Sequence, residues 1–310
     1  MSLDRLDHLL SEVTARIETG NGIGAIDLLC RQLNVVKGTC AEREWTQAKQ
    51  HCFNHPIRRL LHEDPYTWRA FTKPRGYGGD AVMLDYVYSG HPPDGTSPAG
   101  QVVFLGTTRT SNGASVVERR NRLARIIDQE AARKRGLRVL SLACGHLREA
   151  QKSDAVRTGY VAEFFALDQD CETLDTVRHE QARSCIIPFH ISVKDLLRNR
   201  NVRFRDLDLV YASGLFDYLP DRLASKLSQT MWDMLASNGR MIIANFTPES
   251  HGRSYMEIFM DWNLIYRDEA TLLTVVQDLP NDQIADRLVS RDSENNVIYL
   301  DFRRKDPDSK

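Results

Sequence analysis

The chain has 310 residues, 42% hydrophobic and 27% charged, with 41 basic against 42 acidic side chains and a formal net charge of −1. That composition fits an ordinary globular protein of one large or two unequal domains, and its charge offers no electrostatic footprint for DNA or RNA. No apolar run is long enough for a bilayer, and Met1-Ser-Leu-Asp-Arg-Leu-Asp7 lacks a basic start and an apolar signal core, so no stable membrane insertion and a cytoplasmic location are expected.

Leu3, Leu6, Leu9, Leu10, Val13 and Ile17 recur at three-to-four spacing, which makes one amphipathic helix that Gly20-Asn21-Gly22 ends. A second helical run, Ile23 to Val36, carries Ile26, Leu28, Leu29, Leu33 and Val36, and shorter ones are expected over Glu42 to His51 and Ile57 to His62. Residues 1 to about 70 show no strand alternation and read as helical. Lys73-Pro-Arg-Gly-Tyr-Gly-Gly-Asp80 holds three glycines and a proline, which marks a defined loop. His91 to Gly100, with Pro92, Pro93 and Pro98, reads as a second loop, and Ser115 to Lys134 as one long helix with Val116, Val117, Leu123, Ile126 and Ile127 inward.

From Leu137 the pattern changes. Strands are expected at 137–143, 161–167, 185–190, 207–212, 239–246, 285–290 and 296–303, with helices at 147–157, 171–182, 221–237 and 268–278. Strands alternating with helices imply right-handed βαβ units and a parallel sheet. The last two strands are separated only by residues around Asp292 to Asn296, as in a hairpin, so one strand in the edge region is expected to be antiparallel. The six cysteines (Cys30, Cys40, Cys52, Cys144, Cys171, Cys185) form no Cys-x-x-Cys pair, so free thiols and no metal site are expected.

The apolar run Val139 to Ala143 stops at Cys144-Gly145 and a helix-compatible segment follows, as when a buried strand turns tightly into a helix. The next apolar run, Phe164-Phe165-Ala166-Leu167, ends in Asp168. A glycine turn after one strand and an acid ending the next point to a nucleoside. A dinucleotide would call for Gly-x-Gly-x-x-Gly, but Ala143-Cys-Gly-His-Leu-Arg148 has one glycine, which a ligand without a pyrophosphate tolerates. Asp170 is better placed to cap the following helix.

Val139-Leu-Ser-Leu-Ala-Cys-Gly145 resembles the first motif of class I S-adenosylmethionine-dependent methyltransferases, commonly Val-Leu-Asp-Leu-Gly-Cys-Gly-x-Gly. Ala143 stands for the first glycine, Gly145 keeps the second, Leu147 replaces the third, and Ser141 replaces the usual acid. Ala166-Leu-Asp-Gln-Asp170, Asp208 to Leu219 and Asn238 to Asn245 resemble later motifs in order, so the resemblance covers about residues 115 to 303. It implies an α/β fold with a Rossmann-like, seven-stranded, mostly parallel sheet in a domain over 115–310, after a helical region over 1–114. It also implies S-adenosylmethionine as cofactor, held by Ala143, Gly145 and Glu149 at the first turn, and by Asp168, with Gln169 beside it, at the ribose. Ser192 and Val193, with Asp195, fall at the adenine, and Ser213 and Gly214 beside the transferred methyl. A cationic sulfonium favours acids and aromatic faces, for which Tyr77, Asp80, Phe216 and Tyr218 are candidates.

Phe71 to Asp80 resembles the Lys-Pro-Arg-Gly-Tyr-Ala-Gly-Asp loop of a bacterial methyltransferase group that includes extracellular-factor enzymes making 3-hydroxypalmitic acid methyl ester. The likeness continues into Tyr86-Val-Tyr88 and the Met256 to Tyr266 segment. It implies a small-molecule methyl acceptor: a carboxylate, or a metabolite amine or hydroxyl. The loop is suited to a lid, and Arg75 and Lys73 to a carboxylate, with Arg75, Tyr77 and Tyr218 as catalytic candidates. A carboxylate nucleophile is ionised at neutral pH and needs no base. For other nucleophiles His251, Tyr255 and Asp217 are the conceivable bases. A non-catalytic scaffold, a nicotinamide-dependent oxidoreductase and a homodimer stay open.

Overall fold

A computed structural model of the chain describes residues 3–181, 183, 185–198 and 204–306. The chain divides into two compact units, Met1–Val117 with Glu249–Asn263, and Glu118–Pro248 with Leu264–Lys310.

The first unit is helical: Leu3–Glu18, Gly22–Thr39, Glu42–Asn54, Ile57–Leu61, Pro65–Thr72, Ala81–Ser89, Pro98–Thr108 and, from the distant segment, Arg253–Phe259. The periodic residues Leu6, Leu9, Leu10, Val13 and Ile17 are all buried, as the pattern requires. The expected loop over 91–100 ends sooner than the prolines suggest. Pro98 opens the helix Pro98–Thr108, where its missing N–H costs nothing, and Ser97 caps it by accepting from Gly100 N at 3.0 Å. The segment Glu249–Asn263, which the sequence places with the sheet, joins this unit through polar contacts. Asn34 donates to the His251 carbonyl at 2.8 Å, His62 Nε2 meets the Phe259 carbonyl at 2.8 Å, and Tyr255 Oη lies 2.9 Å from Thr67 Oγ1.

The second unit is a seven-stranded sheet: β1 Leu137–Leu142, β2 Val161–Asp168, β3 Ile186–His190, β4 Leu207–Ala212, β5 Leu235–Phe246, β6 Ile284–Arg291 and β7 Val297–Arg304. Its order is β3-β2-β1-β4-β5-β7-β6. The first five strands in that order run parallel, and β7 is antiparallel to both β5 and β6. This is the expected Rossmann-like, mostly parallel sheet with one antiparallel strand next to the edge. It departs from the dinucleotide-binding order 3-2-1-4-5-6 by the insertion of β7. Strand order reverses between β1 and β4, so the crevice outside their carboxyl ends is where such a sheet takes a ligand.

Alternation on the strands builds the core. Leu140, Leu142, Phe165, Leu167, Val210 and Met241 share a buried cluster with Leu227, Met231 and Trp232 of the helix Asp221–Asp233. The helix Ser111–Arg133 begins in the helical unit and ends in this one. Its Glu130 pairs with Arg240 at 2.9 Å and Arg303 at 2.6 Å, which anchors its C-terminal half to β5 and β7. The expected helix over 147–157 is broken by Ser153 into Arg148–Lys152 and Asp154–Arg157. Among the described residues no helix is long and apolar enough to cross a membrane. The six cysteines are free thiols.

Candidate functional site

β1 ends at Leu142, and the backbone then enters the left-handed region three times in five residues, at Ala143 (φ +51°), Gly145 (φ +55°) and Leu147 (φ +52°). These are the positions where the first motif of the resembling family carries its glycines. The glycine-type path is therefore kept with two side chains on it, at about 1–2 kcal/mol for each non-glycine residue. The surroundings over-determine the path. Cys144 N donates to the Leu167 carbonyl at 2.9 Å, and buried Gln181 Nε2 donates to the carbonyls of His146 and Leu147 at 3.2 and 3.3 Å. The Leu147 side chain is fully buried, while Ala143 is exposed.

Asp168 ends β2 beside this turn. Its Oδ2 accepts from Gly145 N and its Oδ1 from Asp170 N, both at 3.0 Å. Burial pushes its carboxyl up from the ordinary range, against the pull of those backbone donors. Backbone N–H groups of Gly145, Asp170 and Gln169 hold the carboxylate in place, and its two oxygens keep acceptor capacity for a vicinal diol. Asp170 caps the helix Cys171–Glu180 through Glu172 N, as expected. Gln169 is exposed, and its carbonyl lies 2.9 Å from His190 Nε2.

Glu149 is buried and accepts from the Tyr211 hydroxyl at 2.6 Å, and burial raises its carboxyl. Tyr211 faces Ser141 across the β1–β4 register and hydrogen-bonds to it, so Ser141, Tyr211 and Glu149 make a buried polar chain beneath the turn. A carboxylate thus reaches this region from the following helix where the family motif has one on β1. Ser192 and Val193 are half-buried after β3. Ser192 Oγ donates to Asp195 Oδ2 at 2.6 Å and accepts from Asp195 N, so these two residues cap each other at the helix Val193–Arg198.

Past β4, Ser213 and Gly214 are half-buried and lead into the short turn Phe216–Tyr218. Phe216 is fully buried in the core, so its ring presents no face to a ligand, contrary to the expectation; Tyr218 is half-buried. Asp217 Oδ1 accepts from Phe246 N at 2.7 Å, and burial pushes its carboxyl up to about 6 against Arg119 and Arg267. Arg267, 2% exposed, donates to the carbonyls of Phe216 and Leu219, to Asn245 Oδ1 and to Asp221. Asp217 and Arg267 together clamp the turn after β4 to the end of β5. Sequence reasoning passed over Arg267 and Gln181, which stand in no motif, and Tyr211, which lies within the Asp208 to Leu219 motif but reads there as a buried strand residue.

The loop candidates lie in the helical unit. Asp80 caps Ala81–Ser89 through Met83 N, and both its oxygens take Arg69 Nε at 2.9 Å, so this 2%-exposed carboxylate is committed to holding the loop end. Lys73 pairs with Asp261. Arg75 and Tyr77 are half-buried, and Gly78 packs against the Trp262 ring. Of the conceivable bases, His251 lies 3.3 Å from Asp27, and Tyr255 is buried with its hydroxyl raised well above its ordinary value. The Tyr255 hydroxyl is not poised to take a proton. Among the described residues no group of His, Cys, Asp and Glu is placed to hold a metal.

No family model and no curated protein matches the sequence. Solved structures do. A protein of Bordetella parapertussis described as a possible exported protein is 17% identical, with 92% of this chain and 96% of that chain covered and a TM-score of 0.63. An O-methyltransferase family protein of Burkholderia thailandensis is 17% identical over 66% of this chain and 61% of its own, with a TM-score of 0.47. The N-methyltransferase NodS of Bradyrhizobium japonicum WM9 is 13% identical over 64% and 100%, with a TM-score of 0.45. What the chain shares with the Bordetella protein, across nearly the whole of both, is the fold.

Proposed function

We propose that the chain is an S-adenosylmethionine-dependent methyltransferase whose acceptor is a small carboxylic acid. The observation that carries the cofactor is the Asp168 carboxylate, fixed by Gly145 N and Asp170 N at the switch point of the sheet, against a turn that keeps the three-glycine backbone path. The intact path speaks against a decayed, non-catalytic scaffold. Ala143 and the β7 insertion speak against a dinucleotide, since a side chain stands where a pyrophosphate would approach.

When bound, S-adenosylmethionine would supply an electrophilic methyl group on a sulfonium, open to displacement by an acceptor oxygen with the thioether as leaving group. This chain's residues bind and orient. Asp168 accepts the ribose hydroxyls, Gly145 and Ala143 offer backbone at close range, and Ser213 and Gly214 border the reacting end. Asp217 and Arg267 hold that border rigid, which is where positioning contributes most to such a displacement. A carboxylate acceptor enters ionised and leaves as a neutral ester, so no proton moves. Arg75 and Tyr77 stay proposed acceptor residues on the strength of the loop's resemblance.

Calorimetry with S-adenosylhomocysteine tests the reading. The wild type should bind it, and Asp168→Asn should weaken binding at least tenfold while the protein stays folded. Undiminished binding in that variant, or affinity for NAD in its place, would sink the proposal.

A further inference from the structure

Arg119 is the one feature of the crevice that the reading above leaves without work. The helix Ser111–Arg133 brings it to the carboxyl ends of β4 and β5, where it is 6% exposed. Its guanidinium lies 3.6–3.9 Å from where a β-carbon on Gly214 would sit, and its Cζ is 5.8 Å from the centre of the Phe246 ring. Glu149 and Asp217 are close enough to feel its charge. Yet among the described residues Arg119 makes no hydrogen bond and no ion pair, and its nitrogens are not sealed from open space. Arg267 in the same unit shows how this chain treats a guanidinium buried for structure alone, since its fork is filled by carbonyls, Asn245 and Asp221. A guanidinium taken from water with its five donors unspent is prepared for a partner that arrives from outside.

The partner's chemistry follows from the fork. Planar, paired N–H donors match a carboxylate in two-point contact. Gly214 carries no side chain to cover the approach. Asp168 ends β2, and Gly214, which the guanidinium approaches, follows β4. β2, β1 and β4 are neighbours in that order, so those two strand ends are two spacings apart, about 10 Å. The ribose carboxylate and the unfilled guanidinium thus stand apart along the carboxyl edge of the sheet.

We propose that Arg119 is the carboxylate-binding residue of this crevice and that its occupant is the carboxylate of the methyl acceptor. The assignment rests on the methyltransferase reading for the word acceptor, and on the geometry of Arg119 alone for the carboxylate. Held in two-point contact, the carboxylate would keep a free lone pair on one oxygen for the reacting carbon.

Calorimetry on the full chain tests this with octanoate as a carboxylate probe and octanamide as its neutral counterpart, each titrated into protein loaded with S-adenosylhomocysteine. Wild type should prefer octanoate to octanamide at least tenfold. Arg119→Gln should erase the preference and Arg119→Lys keep part of it, while affinities for S-adenosylhomocysteine and 5′-methylthioadenosine stay within twofold, which also certifies the fold. Equal binding of octanoate and octanamide to wild type, or unchanged octanoate binding in Arg119→Gln, overturns the proposal. So does a variant that loses S-adenosylhomocysteine but keeps methylthioadenosine, for then the carboxylate belongs to the cofactor. If wild type binds no S-adenosylhomocysteine, the methyltransferase reading fails, and the same octanoate titration on unloaded protein still decides the subsite. The wild-type comparison needs no variant, so an unfolded Arg119→Gln protein leaves the test standing.

Discussion

Asp217 shows what a single buried carboxyl does to this protein. Its folded value of about 6 lies above the 3.8 of an exposed aspartate, so between those values the folded state holds a proton that the unfolded state has released. The stability it contributes is full below 3.8 and is lost as pH rises through about 6. Unfolding free energies of wild type and Asp217→Asn, measured by denaturant titration across pH, should diverge by about 2 kcal/mol between pH 4 and 6.5, against wild type, and run parallel above pH 7. A constant difference across that range would contradict the assignment. Asp64, buried in the helical unit among Thr67 and Thr107 and also pushed to about 6, carries the same sign. At Ala143 the question is backbone strain. Ala143→Gly should be neutral or stabilise by up to about 1 kcal/mol, and Ala143→Val should cost about 1–2 kcal/mol by thermal unfolding, because a branched side chain resists φ +51° more than alanine does.

At the scale of the element, the turn after β1 corrects a simple reading of glycine counts. Only one of the three motif positions is a glycine in the sequence, yet all three are left-handed. Glycine makes such a path cheap, and buried contacts can impose it on other residues. Gln181 is the contact to test. Removing its two donor bonds in Gln181→Ala should cost about 1–2 kcal/mol and weaken S-adenosylhomocysteine binding several-fold, as the carbonyls of His146 and Leu147 lose the donor that holds them together. Affinity unchanged in a destabilised variant would show that the turn holds itself. The expectation that Asp80 faces a sulfonium fared differently. A capping aspartate and a ligand-binding one look alike in sequence, and only the Arg69 contact separates them.

Across the whole molecule, the segment Glu249–Asn263 leaves the sheet unit to pack with helices more than 100 residues earlier in the chain. Its Tyr255, Ile258 and Phe259 are buried there. Residues 115–310 expressed alone should therefore expose them and elute as aggregates in size-exclusion chromatography, while the same piece with 249–263 replaced by a Gly/Ser linker should run as a compact species. Equal behaviour of the two would mean that the segment is indifferent to its helical partners. The strands of the sheet, the helices at the N-terminus, Asp168 at a strand end and Asp170 at a cap were legible in the chain, because each is written in residues a few positions apart, as a period of two or of 3.6 or as a capping side chain. The placement of Arg119 against Gly214, of Gln181 under the turn, of Tyr211 between Ser141 and Glu149, and of Arg267 in the clamp was decided only by tertiary packing. Those partners are separated by up to 95 residues, follow no period, and acquire their meaning from which donors burial leaves satisfied and which it leaves waiting.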